Sequence, residues 1–238
     1  MQALIRGGCD VLEVGVPFSD PVADGPVLQE ASARALQGGM TLRAALEIAG
    51  SLGALTGPSG VPVPVVIMSY YNPLMQFGEE RLAQAMAMRG LCGAIVPDLP
   101  VEECEPMAAA LESRDLAWIG LAAPTSRHRL SRIARRSDGF VYAVSRAGVT
   151  GMQGDVPQEA RELVEALRAE TRLPVAVGFG VSGPEQARAL AFADGIVVGS
   201  AFVDCWNRAR SRGDDPVREV ESLARRIREA LSGQTPAP

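Results

Sequence analysis

Short apolar runs alternate with amphipathic runs along the whole chain. The apolar runs are almost continuous, which is typical of strands that are buried on both faces of a parallel sheet. Between them, apolar residues recur every three or four positions, which predicts helices. Strands that alternate with helices favour an α/β fold built from βα units. The predicted strands are Val11–Gly15, Val63–Ser69, Gly93–Val96, Ala117–Leu121, Phe140–Val144, Pro174–Gly178 and Gly195–Gly199.

Proline and glycine mark the boundaries of the predicted helices. Pro26 lies just inside the start of one helix, Gly38 follows its end, and Thr41 is a candidate N-cap for the next. The segment Gly50–Pro64 is rich in Gly, Ser and Pro, which predicts a loop. The predicted helices are Pro26–Leu36, Leu42–Leu52, Glu79–Met88, Glu102–Ser113, Arg127–Arg136, Gln158–Glu170, Pro184–Ala191 and Pro216–Leu231.

Seven predicted strands are one fewer than a (β/α)8 barrel contains, and such barrels run to about 250 residues. This chain has 238 residues and opens on MQALIRGGCD, which resembles the last turns of a helix ending at Gly7. We therefore expect one TIM-barrel domain over residues 1–231, without the first strand and most of the first helix. The tail 232–238 is expected to be disordered. Unpaired strand edges would remain, so we expect the chain alone to be poorly stable or to aggregate.

A carboxylate interrupts the first predicted strand, in the stretch VLEVGVPFSDPVADGP. Strand alternation places Glu13 on the face opposite Leu12 and Val14. Burial would raise the pKa of Glu13, and at the active end of a barrel strand it would suit a general acid or base. The alternative is a structural ion pair with an arginine. Asp24 is a second candidate, although it could also simply cap the helix that follows.

Composition narrows the possible chemistry. All 23 basic residues are arginine, so a lysine Schiff base and a lysine-anchored pyridoxal phosphate are excluded. The only histidine is His128, and the four cysteines have no metal-like spacing, so no metal site is expected. The net charge of −5 argues against general nucleic-acid binding. Neither a membrane span nor a secretory signal is recognisable, so a cytoplasmic protein is expected.

Glycine-rich stretches follow the last three predicted strands: SRAGVTG at Ser145–Gly151, GFGVSGPEQ at Gly178–Gln186 and GSAF at Gly199–Phe202. Glycines let backbone N–H groups approach an anion closely, and a helix N-terminus favours negative charge. Barrels often bind phosphate with the loops after their last two strands. The sequence therefore predicts a phosphate site near Gly180, Gly199 and Ser200.

These stretches resemble the alpha subunit family of tryptophan synthase. The likeness covers essentially the whole chain and rests on motifs in one order: LEVGVPFSDPVADGP, MSYYNP, IVPDLPVEE, YAVSRAGVTG, VGFGVSGPEQ and VVGSAFV. The resemblance implies a (β/α)8 barrel that cleaves indole-3-glycerol phosphate to indole and glyceraldehyde 3-phosphate without a cofactor. It also implies a heterotetramer of two alpha and two beta chains, with pyridoxal phosphate in the beta subunit.

The resemblance also implies roles for particular residues. Glu13 would move protons between indole C3 and the glycerol hydroxyl, and Asp24 would hold the indole N–H. Thr150 would contact Asp24 when its loop closes. The other residues implied are Tyr142 and Arg146 for the substrate, Gly151, Phe179, Gly180, Gly199 and Ser200 for the phosphate, and Phe18, Asp20, Asn72 and Pro100 for the beta-facing surface.

Three other functions stay open at this point. The chain could be a free-standing indole-3-glycerol phosphate lyase that works without a beta chain. It could be a non-catalytic subunit that only regulates a beta chain, although the Glu13 and Asp24 pair argues against that. It could also be another phosphate-binding barrel of biosynthesis.

Overall fold

The computed structural model describes residues 1–52, 55–57, 60–144, 156–178 and 180–232, which form two compact units, Met1–Ile119 and Gly120–Pro238. The strands are β1 Leu12–Gly15, β2 Val65–Met68, β3 Gly93–Ile95, β4 Ala117–Ile119, β5 Leu121–Ala122, β6 Val141–Val144, β7 Val175–Gly178 and β8 Gly195–Val197. The helices are α1 Gln2–Arg6, α2 Pro26–Gln37, α3 Leu42–Gly50, α4 Tyr71–Phe77, α5 Glu79–Ala87, α6 Glu105–Glu112, α7 Leu130–Arg136, α8 Val156–Glu170, α9 Pro184–Ala189, α10 Ser200–Arg212 and α11 Pro216–Ser232.

The first unit contains a parallel sheet in the order β1-β2-β3-β4. Leu12, Val14, Val65 and Ile67 alternate with residues of the other face and lie in one hydrophobic core. The helices α3, α5 and α6 pack on that core through Leu46, Leu82, Met86, Met107 and Leu111. One face of the sheet is therefore covered by helices, and Glu13 projects from the other face.

The second unit repeats this arrangement with a parallel sheet in the order β5-β6-β7-β8. Helix α8 packs on β6 and β7 through the buried side chains of Leu163, Val164 and Leu167. At the start of β7, the Asp194 carboxylate accepts hydrogen bonds from the Val175 N–H at 2.9 Å and from the Arg168 guanidinium at 2.8 Å. These bonds fix α8 and the start of β8 to the same strand.

The predicted strand Ala117–Leu121 is divided in two at Gly120, which turns seven predicted strands into eight segments. A β-carbon at Gly120 would lie against the Ser137 hydroxyl and 3.0 Å from Cγ2 of Ile133, so the backbone approaches α7 closely there. The Ser137 hydroxyl donates to the Ile133 carbonyl at 2.7 Å, which holds that contact in place. Apolar patterning cannot reveal such a break, because the residues on both sides of Gly120, Ile119 and Leu121, are apolar.

The helix predictions are confirmed for most of the chain, with a few differences. Helix α1 ends at Gly7 as predicted, and Gly8 takes a φ of +97°. Helix α6 begins at Glu105 rather than Glu102, because Pro106 suits the first turn of a helix. The segment predicted as one helix, Arg127–Arg136, is a 3-10 helix Pro124–Arg129 followed by α7. Helices α4 and α10 were not predicted from the sequence.

Within the described residues, no helix combines the length and the apolar character needed to cross a membrane.

Replacing Gly120 with alanine is expected to lower the free energy of unfolding by about 1–3 kcal/mol, because the added methyl group overpacks the contact with α7. Urea unfolding of the chain measures this. Gly15→Ala is the matched control, because a β-carbon there meets nothing within 4 Å. Equal stability of the two variants would contradict the close approach at Gly120.

Candidate active site

Glu13 occupies the middle of β1, with its neighbours Leu12 and Val14 buried in the core. Parallel pairing with β2 aligns Glu13 with Val66 and Gly15 with Met68. The residue is partly buried, and among the described residues no arginine pairs with its carboxylate. Within those residues, the structural ion pair considered from the sequence is therefore not observed.

Asp24 lies at the end of the loop that follows β1. Its backbone N–H donates to the Pro21 carbonyl at 3.0 Å, and its own carbonyl accepts from the Gln29 side chain at 2.9 Å. The N-cap of α2 is Gly25, and no side chain caps that helix. The alternative role of Asp24 as a helix cap is therefore wrong, and its carboxylate interacts with Tyr70 instead.

The pKa values of both carboxyl groups are raised, and the charge of Asp24 contributes to the shift of Glu13. Burial first, and the neighbouring charge of Asp24 second, together raise the pKa of Glu13 from 4.5 to about 7. Burial also raises the pKa of Asp24, but a hydrogen bond from Tyr70 opposes that shift. Near neutral pH, Glu13 is therefore able both to donate and to accept a proton, while the bond from Tyr70 favours the ionised form of Asp24.

Tyr70 is the residue that holds Asp24, and the sequence did not single it out. Its hydroxyl donates to the Asp24 carboxylate and accepts from the Ala23 N–H at 2.9 Å. Its ring stacks on Phe18 with a centroid separation of 5.2 Å. Burial raises the pKa of Tyr70 to about 12, so the phenol keeps its proton and remains a donor. The motif MSYYNP contains this residue, but only the contact across 47 positions shows its role.

The four residues predicted to face a partner follow β1, β2 and β3, whose ends lie side by side through the register Gly15, Met68 and Ile95. Asp20, Asn72 and Pro100 are exposed, and Phe18 is partly buried under Tyr70. Two exposed apolar residues share these segments and were missed from the sequence. They are Val22, at 83% exposure, and Met75 of α4, at 48%.

The second unit contains the residues predicted to contact the substrate and its phosphate. Tyr142 is buried in β6, and β7 and β8 pair so that Gly178 is aligned with Val197. The loops that begin after these two strands carry Gly180, with a φ of +74°, and the exposed pair Gly199 and Ser200.

Gly199 is the N-cap of the thirteen-residue helix α10, which has neither a side-chain cap nor an acidic residue in its first turn. This leaves the positive end of the helix dipole without a compensating acidic side chain from its own first turn, a setting that suits an anion. Arg146, Thr150, Gly151 and Phe179 lie outside the described residues.

Comparison with known proteins identifies the family. A family model described as tryptophan synthase alpha chain matches residues 1–232. The tryptophan synthase alpha chain of Geobacillus kaustophilus is 42% identical over 243 residues, covering 98% of this chain and 89% of that protein. That of Halalkalibacterium halodurans is 43% identical over 221 residues, covering 92% and 82%. The chain belongs to the tryptophan synthase alpha chain family.

Solved structures of this family also resemble the fold of the chain. The crystal structure of tryptophan synthase subunit alpha from Legionella pneumophila str. Paris matches with a TM-score of 0.88 at 33% identity, covering 98% of this chain and 86% of that one. A crystal structure of tryptophan synthase from M. tuberculosis matches with a TM-score of 0.83 at 35% identity, covering 96% and 84%. The predicted family and its α/β TIM-barrel fold class are confirmed.

Membership of the tryptophan synthase alpha chain family also confirms the predicted activity. The chain is a lyase that cleaves indole-3-glycerol phosphate in tryptophan biosynthesis. The match removes the alternative of an unrelated phosphate-binding barrel. The designation alpha chain implies a beta-chain partner.

Replacing Glu13 with glutamine is expected to stabilise the fold at alkaline pH. The unfolded chain releases the Glu13 proton at its ordinary pKa of 4.5, whereas the folded chain holds it to about 7, so folded-state stability falls as pH rises between these values. Glu13→Gln removes that loss. Urea unfolding should give a gain on the order of 2–3 kcal/mol at pH 8 and less than about 1 kcal/mol at pH 5.

The matched control for this variant is Glu47→Gln. Glu47 is an exposed residue of α3 that lies 3.7 Å from the Arg89 guanidinium. Its replacement is expected to change stability by less than about 0.5 kcal/mol at either pH. A Glu13→Gln gain that is the same at both pH values would contradict the raised pKa.

Replacing Gly178 with alanine is expected to impair turnover through Tyr142. A β-carbon at Gly178 would collide with the Tyr142 hydroxyl and lie 2.7 Å from Cζ of its ring, so the phenol must move. If Tyr142 contacts the substrate as predicted, its displacement by about 1 Å is expected to lower kcat/KM by roughly a hundredfold. Steady-state kinetics of indole release measure the loss.

Gly195→Ala is the matched control for the Gly178 variant. A β-carbon at Gly195 lies 3.4 Å from the β-carbon of Ala176, an ordinary van der Waals contact, and it lies on the neighbouring strand. We expect its kcat/KM to equal that of the unmodified chain. Full activity of the Gly178→Ala variant would show that the position of Tyr142 does not limit turnover.

Proposed function

We propose that this chain cleaves indole-3-glycerol phosphate by a cofactor-independent retro-aldol reaction performed by Glu13 and Asp24. The observation that carries the proposal is the pair formed by Glu13 in β1 and Asp24 in the next loop, in which burial and the Asp24 charge raise the pKa of Glu13 to about 7. A carboxyl group with a pKa near the working pH is suited to both halves of a proton transfer.

Glu13 begins the reaction as an acid. Its proton moves to C3 of the indole ring, which becomes an iminium-like electron sink. The bond between C3 and the glycerol carbon then breaks, and its electron pair passes into the ring and restores the aromatic indole. The Glu13 carboxylate takes the proton of the adjacent glycerol hydroxyl as that carbon becomes the aldehyde of glyceraldehyde 3-phosphate. Glu13 therefore ends the cycle protonated.

Asp24 stays ionised through this cycle. Its carboxylate accepts a hydrogen bond from the indole N–H and balances the positive charge that develops on the ring after C3 is protonated. The hydrogen bond from Tyr70 favours the ionised form that this role needs. Two neighbouring carboxyl groups with different surroundings thus take the acid role and the electrostatic role.

The remaining assignments concern substrate binding. We infer that the phosphate is held by Gly151, Phe179, Gly180, Gly199 and Ser200. The uncapped N-terminus of α10 and the positive φ of Gly180 support the last three of these residues. We assign Tyr142, Arg146 and Thr150 to binding of the rest of the substrate.

We also propose that the chain functions as one domain in a cytoplasmic heterotetramer of two alpha and two beta chains. In this assembly pyridoxal phosphate is bound by the beta chain. Phe18, Asp20, Asn72 and Pro100 would form the docking surface, and exposed Val22 and Met75 extend it with apolar area. Apolar side chains this exposed suit a surface that is covered in an assembly.

Replacement of either carboxylate is expected to abolish most turnover. Glu13→Gln should lower kcat by roughly 10²–10⁴-fold, because it removes the proton-transfer group. Asp24→Asn should lower it by roughly 10²–10³-fold, because it removes charge stabilisation. Indole release from indole-3-glycerol phosphate is measured with excess beta subunit from a relative.

Glu47→Gln, with the same chemical change on exposed α3, is expected to retain full turnover. Unchanged indole release by Glu13→Gln would contradict the assignment of the acid and favour a purely regulatory subunit. Full turnover that does not respond to a beta subunit would instead favour a free-standing lyase.

A further inference from the structure

The N-terminus of α4 is capped by a residue from a different loop. Tyr70 precedes this helix, and no capping hydrogen bond comes from its own side chain. Instead, the Asp98 carboxylate, in the loop after β3, accepts the Tyr71 N–H at 2.8 Å. Asp98 therefore joins two loops that are 27 positions apart in the sequence.

This cap controls the conformation of Tyr70. The Tyr71 N–H belongs to the same rigid peptide plane as the Tyr70 carbonyl, so an acceptor that holds it also holds ψ of Tyr70, which is 154°. On the other side, the Ser69 N–H donates to the Ile95 carbonyl at 3.1 Å. The backbone around Tyr70 is thus held by β3 at the residue before it and by the loop after β3 at the residue after it.

The orientation of Tyr70 is transmitted to the catalytic pair. Its hydroxyl is the far end of the side chain, so a small backbone rotation moves it far enough to break a directional hydrogen bond. That hydroxyl holds the Ala23 N–H at 2.9 Å and the Asp24 carboxylate. Loss of the cap would therefore release Asp24 without any change to a group that touches the substrate.

We propose that Asp98 is a positioning residue of the active site, acting through the Tyr71 N–H on Tyr70 and through Tyr70 on Asp24. This inference rests on the proposed roles of Glu13 and Asp24. It assigns to the exposed carboxylate of the motif IVPDLP a function in turnover rather than only in helix stability.

The experiment compares Asp98→Ala with Asp98→Asn in the full chain with beta subunit present. Asparagine keeps an oxygen that accepts the Tyr71 N–H, whereas alanine does not. Asp98→Ala is expected to lower kcat roughly ten- to a hundredfold, and Asp98→Asn is expected to retain most of the original kcat.

Thr41→Ala is the matched control, because it removes the cap of α3, in which the Thr41 hydroxyl accepts the Ala44 N–H at 3.2 Å. Its melting temperature should fall while kcat is kept.

A double-mutant cycle with Tyr70→Phe tests the route. That variant lacks the hydroxyl that binds Asp24, so adding Asp98→Ala to it should lower kcat no further. The proposal is overturned by any of three results: full kcat in Asp98→Ala, an equally slow Asp98→Asn, or independent effects of Asp98→Ala and Tyr70→Phe. An equal loss of kcat in Thr41→Ala would also overturn it, by showing a general response to destabilisation.

Failure of the proposed function gives a different pattern. In that case the unmodified chain releases no indole, or Glu13→Gln releases as much as the unmodified chain does. Failure of the Asp98 inference leaves the unmodified chain active and Glu13→Gln inactive.

Discussion

The proximity of two partly buried carboxyl groups, Glu13 in β1 and Asp24 in the loop that follows it, is the constraint on which the proposed site depends. Glu13 lies on a strand whose opposite face is filled by Leu12 and Val14, so its side chain cannot turn away without removing core residues. Burial and the Asp24 charge make its ionised form unfavourable. Buried Glu13 therefore lowers the stability of the fold, and in the proposed reaction the same burial keeps a proton on its carboxyl group near neutral pH. This is the usual relation between stability and activity at functional sites.

The sequence predicted the strands well because their signal is local. Near-continuous apolar runs and flanking glycines predicted the positions of the described strands, with β4 and β5 as a single strand. Pro26 and Thr41 predicted the starts of two helices. Helix α4 was missed because Tyr71–Phe77 is short and follows a strand motif without a capping side chain of its own. The division at Gly120 depends on the approach of α7, a contact that no pattern around Gly120 encodes.

The candidate site shows the same difference between features that are visible locally in the sequence and features that depend on contacts between distant residues. Glu13 was recognisable because a charged residue in an apolar strand conflicts with its surroundings, and such conflicts mark functional positions. Tyr70 and Asp98, by contrast, are residue types that suit their neighbours in the sequence, so nothing around them marks them as functional. Their roles arise from hydrogen bonds that span 47 and 27 positions, and only the folded chain brings those partners together. The resemblance to a known family supplied the roles of residues, whereas the physical support for those residues required coordinates.

Strand order in both sheets follows chain order, so every parallel pair joins strands that are consecutive in the sequence. Each of these pairings joins strands that are close in the sequence, so among the described residues no pairing requires a strand from the other end of the chain. On a ribosome, the unit Met1–Ile119 has all its own strands and its core helices before Gly120 onwards has been synthesised. Glu13, Asp24 and the tyrosine that holds Asp24 can therefore be assembled while the unit with the proposed phosphate-binding residues is still being translated.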